Sequence, residues 1–147
     1  MEEKEITVMS KSDYRFLLYQ EIPERSLSIV SRQGDEFWSG AKLTSLEKGD
    51  SLLEVVPLDI KDGKLLYLDY PFYPMTLELS SSENLLDLVE EIHDAYVEIY
   101  DAEGIPPEGS DKPRLEDLYL NEITCCRSGN LVAYIKSEKE HPRRRVR

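Results

Sequence analysis

Residues 80–101 read SSSENLLDLVEEIHDAYVEIYD, and the spacing of their apolar positions decides how the rest of the chain must be arranged. At about 100° per residue, Leu85, Leu88, Val89, Ile92, Ala95, Tyr96 and Ile99 fall on one side of a helix. Asp87, Glu90, Glu91, Asp94, Glu98 and Asp101 gather on the other. Ser80 followed by Glu83 has the form of a capping box, which places the expected helix at residues 81–101. An apolar stripe of this kind is not buried by the helix alone, so the remaining chain has to supply a surface for it. The flanking segments alternate like strands. The expected fold class is therefore α+β, a mainly antiparallel sheet with helix 81–101 on one face and a short second helix at residues 114–121.

The 147 residues suit one domain, expected at residues 1–138, with a frayed basic tail at 139–147. A chain of this length buries roughly 68–70% of its unfolded surface, enough for a core without staples. The formal charge is −12, unevenly placed: residues 139–147 carry a net +4, which leaves −16 on the remainder. An acidic body repels phosphate, so nucleic acid is an unfavoured partner except weakly through Arg143, Arg144, Arg145 and Arg147. The same arginines can instead fold back on the acidic body. The first residues, MEEKEITVMSKSD, lack the apolar segment of a signal peptide, and no apolar run reaches membrane-spanning length. The expected setting is cytoplasmic.

Along the chain, residues 5–9 read as a short strand and 14–22 (YRFLLYQEI) as a second strand stopped by Pro23. Residues 26–31 and 36–41 flank Gly34-Asp35 as a hairpin that carries the only tryptophan, Trp38. Residues 52–60 and 65–70 flank Asp62-Gly63, a pairing that favours a type I′ hairpin, with Pro57 at an edge or bulge. Met75, Leu77 and Leu79 alternate inward with Thr76 and Glu78 outward. The breakers between 102 and 113 mark a loop. Leu115, Leu118 and Tyr119 recur at helical spacing, and 122–127 and 131–137 form a last hairpin around 128–130.

Chemistry is sparse. Gly49-Asp50-Ser51-Leu52 resembles the nucleophile block of GDSL esterases, but no apolar strand leads into it, and the Gly-x-Asn-Asp and Asp-x-x-His blocks of that family are missing. Phosphate-binding glycine loops are absent too. Cys125 and Cys126 are adjacent and, on a strand, point to opposite faces, so neither a disulfide framework nor a zinc site is expected. No cofactor or metal is expected, and no catalytic residue is assigned.

What remains points to an interaction module of the inhibitor, immunity-protein or adaptor type that binds a protein, a basic one being the match for its charge. Its candidate contacts are Glu90, Glu91 and Asp94 with Trp38, Tyr70, Phe72 and Tyr73 as anchors. The run 67–74, YLDYPFYP, suits either a recognition loop or, more in keeping with loop aromatics generally, a cap over the core. The alternative function is a small-molecule binder or enzyme with a pocket between sheet and helix near His93. There Leu86, His93, Val97 and Tyr100 form a second, narrower stripe that serves as a pocket wall or as a rim for a subunit contact.

Overall fold

The computed structural model describes residues 7–44, 51–53, 58, 60–81, 84–104 and 106–146. Its centre is the helix expected from the apolar stripe, α2 (Leu85–Glu103), preceded in the chain by α1 (Lys11–Tyr19). Asn84 caps α2: its side chain accepts from the Asp87 N–H at 2.9 Å, and the Asp87 carboxylate accepts from the Asn84 N–H at 3.0 Å. The helix thus begins four residues later than the Ser80–Glu83 pairing suggests, because Asn84-Leu-Leu-Asp87 meets the same requirement next to the first leucine. Gly104, at φ +83°, closes the other end by donating to the Tyr100 carbonyl at 2.8 Å. Leu88, Val89, Ile92 and Tyr96 are fully buried, as the wheel requires, while Glu90, Asp94, Glu98 and Asp101 face water.

The stripe rests on a sheet whose strands run in the order β1 (Thr7–Val8), β8 (Met75–Glu78), β7 (Leu65–Asp69), β10 (Leu131–Ser137), β9 (Leu118–Cys126) and β2 (Pro23–Ser28); β5 (Ala41–Lys42) lies farther along the same edge of β9. Among the described strands only β7 and β10 run parallel. That pair is covered on both faces. Leu66, Leu68, Leu131, Ala133 and Ile135 meet α2, whereas Tyr67 and Val132 meet Tyr14 of α1 on the other side. Continuous apolar runs on both strands follow from this double burial.

A second sheet, in the order β11 (Arg145–Val146), β4 (Glu36–Ser39), β3 (Val30–Gln33) and β6 (Ser51–Leu53), branches from the first. The chain leaves the main sheet at Ile29 and returns at Gly40, whose N–H donates to the Ile29 carbonyl at 2.6 Å. Gly40 sits at φ +79°, and a Cβ there would collide with the Tyr119 ring, so the corner requires glycine twice over.

Several expectations are corrected. Residues 14–22 form no strand; α1 starts at Ser10, whose side chain accepts from the Asp13 N–H at 3.2 Å, and Tyr14, Leu17 and Leu18 turn inward at helical spacing. Phe16 and Tyr19, on the outer side, make the run look uniformly apolar. The 65–70 segment is not a hairpin partner of 52–60: both edges of β7 are occupied by β8 and β10, and Leu52–Leu53 pair with β3. Gly63 alone has positive φ in the Lys61–Lys64 turn, the pattern of a type II turn, which splays strands where type I′ would pair them. Pro57, like residues 54–56 and 59, lies outside the described residues. The helix expected at 114–121 is a single turn, Leu115–Asp117, after which β9 begins. Of the tail expected to fray at 139–147, Arg145 and Val146 pair with Trp38 and Phe37, and Arg147 lies outside the described residues.

Of the hairpin expected from 26–31 and 36–41, the part nearest the turn forms as β3 and β4, whereas residues 26–28 and 41–42 pair with β9 in the main sheet. The hairpin expected from 122–127 and 131–137 forms, as does the inward alternation of Met75, Leu77 and Leu79. Within β9, Tyr134 faces Glu122 and Ile135 faces Leu120, so Asn121 is an extra, bulged residue. The bulge shifts the inward phase from Leu118 and Leu120 to Ile123 and Cys125.

The Gly40 corner yields a graded test. In urea denaturation Gly40→Ala should destabilise by about 3 kcal/mol, combining left-handed backbone strain with overpacking. Gly34→Ala has positive φ but nothing within 4 Å, and should cost only about 1–2 kcal/mol.

Candidate functional site

The outer face of α2 is built almost wholly from carboxylates. Residues 85–103 contain seven acidic side chains and no lysine or arginine. Asp87 serves the cap; Glu90, Glu98 and Asp101 are exposed and make no ion pair among the described residues. Asp94 lies 3.3 Å from His93 Nδ1, and Glu91 is half-buried. Neighbours at i, i+4 such as Glu90–Asp94 and Asp94–Glu98 repel, each pair costing about 0.2–0.5 kcal/mol, and Asp101 and Glu103 stand at the negative end of the helix dipole.

The aromatic run after β7 closes one end of the core. Tyr70 is buried and its ring meets Tyr96 edge-on at 5.3 Å, while Tyr73 meets Tyr100 at 5.7 Å. Tyr100 donates to the Pro113 carbonyl at 2.8 Å, so the 2.6 Å contact between the two hydroxyls is a donation from Tyr70 to Tyr100. Burial pushes the Tyr100 phenol up to about 12 and raises those of Tyr70 and Tyr96 as well, which keeps all three neutral. Lys112 lies over the Tyr73 and Tyr100 rings at 4.6 and 5.4 Å and bonds the Tyr73 hydroxyl. The run caps the core, and of its three aromatics only Phe72 stays exposed.

Trp38 is half-buried on β4, with the Arg143 guanidinium 5.6 Å from its ring. Arg143, 8% exposed, donates to Glu138 at 2.8 Å and to Ser31 Oγ at 3.2 Å. Burial alone would raise the Glu138 carboxyl; the bonds from Arg143 and Lys42 hold it below the usual range. Arg145 pairs with Glu36 at 3.2 Å. These cations fold back on the acidic body, Arg144 remains exposed, and Arg147 lies outside the described residues.

The second stripe of α2 divides. Leu86 is exposed, His93 and Val97 are half-buried, and Tyr100 belongs to the core. His93 lines none of the three concavities described for the molecule. Cys125 packs toward α2 and Cys126 toward α1; burial, with Glu21 nearby, pushes the Cys126 thiol up to about 11 and suppresses its thiolate. Among the described residues no three His, Cys, Asp or Glu side chains gather to hold a metal, and no helix is long and apolar enough to cross a membrane.

Two of the concavities adjoin, sharing Lys136, Glu140 and His141. One, of about 210 Å³, opens beyond the carboxyl ends of β7 and β10; the other, of about 530 Å³, lies between β9, β10 and residues 139–144. Sequence reasoning passed over Asn121 and Lys136 in these walls and read Arg144 only as part of the basic tail. The broken alternation in LYLNEITCC at Asn121 was the available signal. No protein-family model, curated protein or solved structure matches the chain.

Glu21 anchors the far end of α1, accepting from Tyr67 at 2.8 Å, Ser128 at 2.5 Å and Asn130 at 2.6 Å. Burial acts to raise its carboxyl, yet these bonds and Lys64 hold it below the ordinary value. A depressed folded pKa stabilises above the unfolded value of about 4.3 and is lost as pH falls through the folded one. Glu21→Gln should cost about 1–2 kcal/mol at pH 7 and flatten the loss of stability below pH ~5, read by denaturant midpoints at stepped pH.

Proposed function

We propose that the protein is a non-catalytic interaction module whose acidic α2 face docks a basic protein partner. The observation that carries this reading is the run of seven carboxylates on a helix that has no lysine or arginine of its own. A surface helix shaped for stability alone gains by placing lysines four residues after its acids, and α2 places further acids there instead. A cationic surface would remove the repulsion on binding and speed encounter through long-range attraction. Leu86 is an exposed apolar side chain on α2 itself, whereas Tyr70 and Tyr73 act through the core and Phe72 is exposed on the loop after β7.

The charges on α2 separate binding from folding. Asp94→Lys turns two repulsive i, i+4 pairs into attractive ones and should raise stability by about 0.5–1 kcal/mol in thermal or urea unfolding. In affinity capture from the native source, a partner held at low salt should be released near 1 M salt, where the screening length falls to about 3 Å. The Glu90→Lys, Glu91→Lys, Asp94→Lys triple variant should fail to capture it. Partners retained unchanged through both treatments would refute an acidic docking face.

A further inference from the structure

We propose that the joined concavities form a binding groove for a small organic phosphate, with the phosphate held by Lys136, Arg144 and Asn121 and a flat, hydroxyl-bearing body lodged beside Phe72 and Tyr134. The groove is separate from the acidic face of α2 and does not depend on that reading.

Its position comes first. Beyond the carboxyl ends of adjacent parallel strands the chain diverges and leaves a crevice, the usual ligand position in open sheets. Here β7 continues into Pro71 and Phe72 while β10 continues toward Glu140 and His141, and the 210 Å³ recess lies between them. The β9 bulge adds the second half. By inserting Asn121 opposite the Tyr134–Ile135 step, it places an amide in the wall of the 530 Å³ concavity, and bulges commonly re-aim a side chain in this way.

The charges then select the ligand. The chain carries −12 overall, yet this concavity gathers Lys136, Arg143 and Arg144 against Glu140. Arg143 is committed to Glu138 and Ser31, but the side chains of Lys136 and Arg144 make no ion pair among the described residues. Arg144 is nevertheless fixed in place, since its backbone N–H donates to Ser39 Oγ and its carbonyl accepts from the Ser39 N–H, both at 2.8 Å. Cationic and amide donors therefore approach from three elements: β10, β9 and the segment after residue 139. A tetrahedral anion with three terminal oxygens satisfies donors converging from three directions better than a planar carboxylate does. In the recess, Phe72 and Tyr134 offer ring faces, while Asp69 and Glu140 are acceptors suited to hydroxyl or amino groups.

The test is a set of amide-shift titrations on the full-length, isotopically labelled protein at constant ionic strength, using inorganic phosphate, adenosine 5′-monophosphate and adenosine as probes. Phosphate and the nucleotide should give saturable shifts at Asn121, Lys136 and Arg144, and the nucleotide should also move Phe72 and Tyr134 and bind at least ~10-fold more tightly than phosphate. Lys136→Ala and Arg144→Ala should each weaken the nucleotide about 10-fold, unfold at an unchanged temperature, and leave adenosine unaffected. Shifts that fail to saturate, or that ignore both substitutions, would overturn the site. Adenosine binding as tightly as the nucleotide would overturn the anion assignment, and phosphate matching the nucleotide would overturn the recess.

Discussion

The burial of one face of α2 against the β7–β10 pair is the constraint from which the other features follow. Leu88, Val89, Ile92 and Tyr96 are inaccessible to solvent, and so are Leu66, Leu68 and Ala133 beneath them. Each of the leucine, valine and isoleucine side chains gives up water for about 1.5–3 kcal/mol of favourable burial, which in aggregate offsets the entropy of ordering the chain. Because the same two strands must also face α1, they have no polar face to present. Their sequences, LLYLD and LVAYIKS, are apolar at adjacent as well as alternate positions. The strands farther out, β2 above all, are largely exposed and polar.

Charge is distributed around this core in two opposite ways. Acids crowd the solvent side of α2, which has no lysine or arginine between residues 85 and 103, and like charges four residues apart destabilise the helix. Arg143 and Arg145 do the reverse. Arg143 is drawn beneath the surface by Glu138, Ser31 and the Trp38 ring, and Arg145 crosses to Glu36, so the second sheet gains β11 as an edge strand. Packing of the guanidinium on the indole matters as much as its ion pair, since Arg143 is almost wholly buried.

The parts of the fold readable from sequence are those where one local period prevails. The stripe of α2, the inward Met75, Leu77 and Leu79, and the turns at Gly34 and Gly129 all announce themselves. Where two signals compete, the reading fails. Exposed Phe16 and Tyr19 mask the helical period of α1, although Ser10 and Asp13 already spell its cap. Leu115, Leu118 and Tyr119 mimic a helix because one turn runs directly into a strand. The Asp62–Gly63 turn misleads because turn residues alone do not tell type I′ from type II, and the neighbours of β7 are set by long-range pairing. The acidic face was legible because exposure follows from the helical wheel. The groove was not, because it is assembled from β10, the β9 bulge and a returning segment far apart in the chain.

Native-state amide hydrogen exchange tests the dependence of the sheet on α2 most directly. The amides of Leu88 to Tyr96 should open with the same free energy as those of Leu66 to Leu68 and Val132 to Ala133, equal to that of global unfolding. If the helix amides exchange through an opening ~2 kcal/mol or more below the global value while the β7–β10 amides keep full protection, the sheet stands without its cover and the central claim fails.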